Sequence, residues 1–159
     1  MTQQQQPVII TLPQGYTLRR LNLSDFENNY CETLQVLTTV GEISQKQFNE
    51  LFQYWESLPE IYNPHVITNQ QGKIVATGML LVERKLIHSC GLVGHIEDIS
   101  VLQTEQGKSL GLYIVRYLAN LAKARGCYKV ILDCSPENIK FYNKCGFNQC
   151  GIEMSQRFD

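Results

Sequence analysis

Glu97 and Asp98 are adjacent carboxylates in an otherwise mostly apolar run, Gly94-His95-Ile96-Glu97-Asp98-Ile99-Ser100-Val101-Leu102. Carboxylates of this kind orient an amine or a hydroxyl, or move a proton. Neighbouring strand positions point to opposite faces, so both can meet one substrate only if a bulge breaks the alternation. Otherwise one meets the substrate and the other supports the sheet. The run leads into a polar loop ending Gln106-Gly107-Lys108-Ser109-Leu110-Gly111, then into a segment with Leu110, Ile114, Tyr117, Leu118 and Leu121 on one helical face. Strand, glycine-containing loop, helix is an order that aims free backbone N–H groups at whatever lies above the loop. Such a place binds a phosphate or pyrophosphate. The loop is neither a Walker loop nor Gly-x-Gly-x-x-Gly, and an ordinary tight turn is the plain alternative.

Other reactive types are read more modestly. His95 is an acid–base residue by type but reads as buried support. Cys134 and Cys145 read as small hydrophobes. Lys85, His88, Lys129 and Arg157 are cations able to hold a phosphate. Asp133 stands at the carboxyl end of a strand, where α/β proteins tend to bind ligands.

The elements around these residues follow from pattern. Residues 16–21 read as a first strand. Ser24 with Glu27, and Ser44 with Gln47, read as capping boxes opening two helices, the first stopping near Gly41. Pro59 and Pro64 end the second helix and begin a loop. Residues 65–69 and 73–85 read as a hairpin closed by Gly72. Gly91 and Gly94 bracket a turn into the 94–102 strand. Gly126 caps the long helix, and residues 128–133 are apolar enough to be a central strand, parallel to 94–102 across the helical crossover. Ser135 and Pro136 start a short helix over 139–144. Residues 147–158 make one or two last strands. The sum is an α+β fold, a mixed sheet with helices on both faces.

The 159 residues make one domain, 14–159, behind a flexible segment, 1–13. With 14 basic and 15 acidic residues and no basic run, nucleic acid is not an expected partner. Neither a secretory leader nor a membrane span is apparent. The six cysteines form no Cys-x-x-Cys pair, which points to free thiols and a cytoplasmic location. No metal site is expected.

A second element, Asn138-Ile139-Lys140-Phe141-Tyr142-Asn143-Lys144-Cys145-Gly146-Phe147, combines with the 106–111 loop to resemble the GCN5-related N-acetyltransferase superfamily. That resemblance implies the acyl-CoA N-acyltransferase fold, with a mostly antiparallel mixed sheet. It implies acetyl-CoA as co-substrate, held by Ile99, Ser100, Val101, Gln106, Gly107, Lys108, Ser109, Leu110, Gly111, Leu112, Asn138, Tyr142 and Lys144. Ser109 stands where the family's loop has a glycine, so it either tolerates the glycine geometry or weakens the grip. Tyr142 is the candidate acid for the departing thiolate, and the Ile99 N–H the candidate oxyanion donor.

Five further blocks, over residues 36–41, 83–88, 94–99, 127–134 and 151–157, resemble the eukaryotic glucosamine-6-phosphate N-acetyltransferases. That resemblance implies acetyl transfer to the 2-amino group of glucosamine 6-phosphate, on the way to UDP-N-acetylglucosamine. It implies substrate contacts from Thr38, Lys85, Leu86, Ile87, His88, Glu97, Asp98, Tyr128, Lys129, Asp133 and Arg157, and a homodimer with sites completed across the interface. Two other readings stand beside it: an acetyltransferase for a protein amine or polyamine, and a non-catalytic acyl-CoA-binding module.

Overall fold

The computed structural model describes residues 11–159, and the flexible segment expected at the start falls, for residues 1–10, outside them. One five-stranded sheet runs in the order β1-β2-β3-β4-β5. The strands are β1 (Thr17–Arg20), β2 (Tyr62–Thr68), β3 (Ile74–Arg84), β4 (Leu92–Val101) and β5 (Cys127–Ile131). The first four pair antiparallel and β5 lies parallel to β4.

Helices cover both faces. Consecutive strand residues face opposite ways, and the core divides accordingly. Ile67 and Val75 pack with Leu110, Ile114, Val115 and Leu118 of α4 (Leu110–Ala124). Val66 and Ile74 pack with Tyr30 of α1 (Tyr30–Leu34) and Phe48 of α2 (Gln45–Ser57). Burying each such aliphatic side chain stabilises by about 1.5–3 kcal/mol, so α4 is held firmly under the strand that ends at the loop.

Local signals explain several boundaries. The Ser44 hydroxyl accepts from the Gln47 N–H at 3.2 Å, and the Gln47 side chain accepts from the Ser44 N–H at 2.9 Å, as the capping box predicts. Gly126, at φ 86°, closes α4. Pro136 opens the turn Pro136–Asn138, which leads into α5 (Ile139–Lys144).

Five expectations are corrected. The first capping box is not at Ser24: Asp25 accepts from the Asn22 N–H at 2.7 Å and from the Arg19 guanidinium at 2.7 and 2.8 Å. The ion pair draws Asp25 inward, the segment Leu23–Glu27 becomes a 3-10 turn, and α1 ends at Leu34, well short of Gly41. Pro64 lies inside β2 opposite Met79, and its carbonyl accepts from Leu21 as β1 leaves the sheet, so its missing donor falls at a pairing end. Gly94 lies within β4, not at a turn; a Cβ there would come within 3.0 Å of the Ala122 Cβ. The turn is instead α3 (Ile87–Cys90), whose His88, Ser89 and Cys90 are all left-handed. β5 is an edge strand, not a central one, with Tyr128 and Ile131 exposed. Finally, residues 147–159 form no strand, because no strand among the described residues pairs with them; Ile152 and Met154 are each 88% exposed.

Candidate active site

The site is organised by an irregularity in β4. Met79 pairs with Glu97 and Thr77 with Ser100, so Gly78 alone opposes Asp98 and Ile99. That is a β-bulge, and Asp98 takes a left-handed φ of 54°. Gly78 makes room: a Cβ there would lie 2.8 Å from the Ile99 Cδ1 and 2.8 Å from the Leu118 Cδ1. The bulge answers the alternation problem posed by the sequence, because Glu97 and Asp98 are both open to solvent.

Protein around these carboxyls shifts both upward. For Glu97 the causes are partial burial, then the charge of Asp98, with smaller contributions from Asp133 and Glu153 and an opposing one from His95. For Asp98 the cause is burial. Asp98, Asp133 and Glu153 thus all place negative charge near enough to act on Glu97.

Beyond His95, the side of β4 that faces β5 has no strand partner among the described residues. A groove of about 510 Å³ opens there, lined by Ile99, Val101, Gln106, Gly107, Ser109, Leu110, Gly111, Leu112, Asn138, Tyr142 and Lys144 of the expected set. Glu105 and Phe141 also line it, and sequence reasoning missed both. Two expected members do not face it. Ser100 is buried and donates its hydroxyl to the Thr33 carbonyl. The Lys108 ammonium is turned to Glu105 at 2.8 Å and the Tyr16 hydroxyl at 3.1 Å.

The loop itself is built for exposed amides. Gly107 is at φ 83° and Ser109, which precedes α4, at φ 63°. The first intrahelical bond of α4 runs from the Tyr113 N–H to the Ser109 carbonyl, which leaves the amides of 110–112 without helical acceptors. Gly111 serves packing: a Cβ there would lie 3.2 Å from the Phe141 Cζ, so its absence lets α5 settle on α4.

Tyr142 borders the groove and also a second cavity of about 280 Å³, lined in part by Asp133 and Glu153. Its phenol is half-buried, has no hydrogen-bond partner among the described residues, and is pushed up to about 12 by burial and by the nearby Cys134 and Cys145. Burial pushes the Cys145 thiol up to about 11, so it stays protonated and behaves as a small hydrophobe. No cysteine is in a disulfide. Among the described residues no cluster of His, Cys, Asp and Glu could hold a metal ion.

The cations assemble elsewhere. Lys85 pairs with Glu83 at 2.7 Å, and Glu83 also meets the His95 Nε2 at 2.8 Å, so His95 is a partly exposed support residue. The His88 ring lies 4.2 Å from Tyr128, and the Lys129 ammonium is 5.8 Å from the same ring. Leu86 and Ile87 are exposed beside them. Tyr128 sits against Gly91, just before β4 begins. At about 3.3 Å per residue, the roughly seven residues from there to Asp98 put the Tyr128 ring, with His88 and Lys129 beside it, about 23 Å from the bulge; Lys85 reaches further along β4, sharing Glu83 with His95. Thr38 is exposed on the stretch after α1, and Arg157 pairs with Asp159 at 2.7 Å in the exposed last segment. The described chain brings together the carboxylates, Tyr142 and the groove; it holds His88 and Lys129 away from them, beside Tyr128.

Comparison with known proteins fits this arrangement. Residues 23–147 match the acetyltransferase (GNAT) family. The chain belongs to the GNAT family. GNAT acetyltransferases use acetyl-CoA, and this chain is an N-acetyltransferase. It is 64% identical over 147 residues to glucosamine 6-phosphate N-acetyltransferase of Candida albicans, covering 92% of this chain and 99% of that one. It is 43% identical over 142 residues to glucosamine 6-phosphate N-acetyltransferase 1 of Dictyostelium discoideum, covering 89% of this chain and 90% of that one. The crystal structure of glucosamine-6-phosphate N-acetyltransferase from Arabidopsis thaliana superimposes with a TM-score of 0.90 at 40% identity, covering 92% of this chain and 100% of that one. Of the residues that sequence reasoning passed over, Thr77, Gly78 and Glu105 stand in no motif, while Phe141 and Glu153 lie inside family blocks that gave them no role of their own. A glycine and a threonine in an uninterrupted buried strand were the available signal for the bulge.

Proposed function

We propose that this acetyltransferase moves acetyl from acetyl-CoA directly to the 2-amino group of D-glucosamine 6-phosphate, giving N-acetylglucosamine 6-phosphate and CoA, a step towards UDP-N-acetylglucosamine. The observation that carries the substrate is the near-full-length likeness, at 64% identity, to a relative of that name. The geometry fits the reaction. In this reading the amides of 107–112 hold the pyrophosphate at the start of α4, and the thioester lies along 99–101 with Asn138, Tyr142 and Lys144 above it. Asp98 or Glu97 orients the neutral amine. Nitrogen attacks the thioester carbonyl carbon, and the Ile99 N–H stabilises the oxyanion. The C–S bond then breaks, Tyr142 gives its proton to the thiolate, the amine's proton leaves to solvent, and solvent returns a proton to the Tyr142 phenolate.

The same reading places two copies of the chain in the working enzyme. His88, Tyr128 and Lys129, about 23 Å from the bulge along β4, are out of reach of one sugar phosphate bound there, so with Leu86 and Ile87 they serve a neighbour's site, while Lys85, Thr38, Asp133 and Arg157 complete the sugar's surroundings. The free edge of β5 and the exposed side chains of Leu86, Ile87, Tyr128, Ile131, Ile152 and Met154 supply an apolar surface for that contact. A cytoplasmic location accords with six free thiols and with described helices too short or too polar to cross a membrane.

The negative charge that Asp98, Asp133 and Glu153 place around Glu97 favours one competing substrate, a polyamine. Thiol release from acetyl-CoA, measured with glucosamine 6-phosphate, glucosamine, spermidine and a lysine peptide, separates the readings. The proposal expects turnover with the sugar phosphate far above the other three. Equal rates with glucosamine, or preference for spermidine, would remove it.

A further inference from the structure

The bulge depends on a residue to which neither the fold nor the reaction chemistry has so far given a role. Asp98 holds a left-handed backbone, which a residue with a side chain keeps only where its surroundings impose it. Gly78 leaves the space, but space alone does not choose a conformation. Thr77, which is 1% exposed, donates its hydroxyl to the Asp98 carbonyl at 3.0 Å. A bulge disturbs the ladder, and the hydroxyl gives this carbonyl a donor from β3.

The consequence lies in the geometry of one peptide group. The Asp98 carbonyl and the Ile99 N–H belong to the same planar, trans unit and point in opposite directions. Drawing the carbonyl toward β3 therefore aims the N–H away from β3, toward the unpaired side of β4 where the groove opens. We propose that Thr77 is a positioning residue for acetyl transfer: its hydroxyl sets the plane of the 98–99 peptide, and with it the direction of the Ile99 N–H and of the Asp98 carboxylate. This rests on the reading that the Ile99 N–H meets the thioester oxygen. Thr77 touches neither substrate, and acts through the bulge.

Two substitutions separate the hydroxyl from the packing. Thr77→Val keeps the shape and removes the donor; Thr77→Ser keeps the donor and removes a buried methyl. The proposal expects Thr77→Val to lower kcat by roughly 10- to 100-fold, in line with the cost of a misdirected group. CoA affinity and the KM for acetyl-CoA stay within about threefold, since the 107–112 loop is untouched. Thr77→Ser keeps kcat within about threefold of the parent even though it melts at a lower temperature than the parent. Amide exchange at Ile99 and Ser100, followed by NMR in the CoA-bound protein, quickens in Thr77→Val and not in Thr77→Ser. Parental kcat in Thr77→Val, or equal slowing in both variants, would overturn the proposal. So would a Thr77→Val protein that loses CoA binding in step with kcat. If the parent turns over no glucosamine 6-phosphate, the substrate reading fails, and the exchange comparison still decides the role of Thr77.

Discussion

Ser109→Gly tests whether the loop is already in its binding shape. Ser109 sits at φ 63° and ψ 16°, and its side chain makes no capping bond to α4. Left-handed backbone costs a residue with a Cβ about 1–2 kcal/mol, which glycine escapes. The greater freedom of glycine in the unfolded chain offsets about 0.5–1 kcal/mol of that. The net is a gain of about 0–1.5 kcal/mol, or about 0–5 °C in Tm for a chain of this size. The backbone already occupies the glycine conformation, so the amides of 110–112 do not move. The Kd for CoA by calorimetry is then expected within about threefold of the parent, or better, which is less than 1 kcal/mol. Gly107→Ala is the contrast: its φ of 83° penalises any side chain although nothing lies within 4 Å. It should lose about 0–1.5 kcal/mol of stability, the left-handed backbone cost less the same unfolded-chain offset. A tenfold loss of CoA affinity in Ser109→Gly would refute the argument, because serine would then be contributing a contact rather than tolerating a conformation.

Tyr142→Phe should lower kcat by about 10²–10⁴ with little change in the KM for acetyl-CoA; since burial holds the phenol at about 12, it remains protonated through neutral pH, and a rate falling with a pKa near 8 that vanishes in Tyr142→Phe would contradict this assignment. If sites are shared between two chains, mixing Tyr142→Phe with Lys129→Ala protein restores about a quarter of parental activity, because half the dimers are mixed and each carries one intact site; no recovery in verified mixed dimers would contradict the shared site. His65 is buried, donates from Nδ1 to the Asn63 carbonyl, and is pushed down to about 4 by burial. Its folded pKa lies below the unfolded value of about 6.5, so the unfolded chain takes up the proton first as pH falls. Stability from this group is unaffected above about pH 7 and declines by about 3 kcal/mol between pH 6.5 and 4; a His65→Gln variant whose melting has the same pH slope as the parent would show the decline to come from elsewhere.

What was legible in the sequence was what local chemistry decides. The Ser44–Gln47 box, the Gly72 and Gly126 turns, Pro136 at a helix start and the stripe of α4 each depend on a few neighbouring residues, and each is found in the structure. The groove was legible for the same reason, since the strand–loop–helix order fixes it. Long-range pairing was not. Asp25 looks like an ordinary first-turn acid until Arg19 claims it. Residues Ile74–Leu80 are buried throughout, so period-two alternation carries no mark of the bulge opposite Gly78. Gly94 resembles a turn residue, yet it is a point of close approach to α4. The apolar run in β5 reads as central because local pattern does not say whether a strand has one neighbour or two. Residues 147–158 read as strand for a similar reason: pattern can mark a segment for pairing without supplying the partner.

A crystal structure with CoA and glucosamine 6-phosphate bound is the most direct measurement. Pyrophosphate oxygens are expected within hydrogen-bonding distance of the 107–112 amides, the thiol sulfur between Tyr142 and Ile99, and the sugar amine beside Asp98. Side chains from a second copy are expected on the sugar phosphate. A pyrophosphate held away from the start of α4, or a sulfur far from Ile99, would contradict this reading.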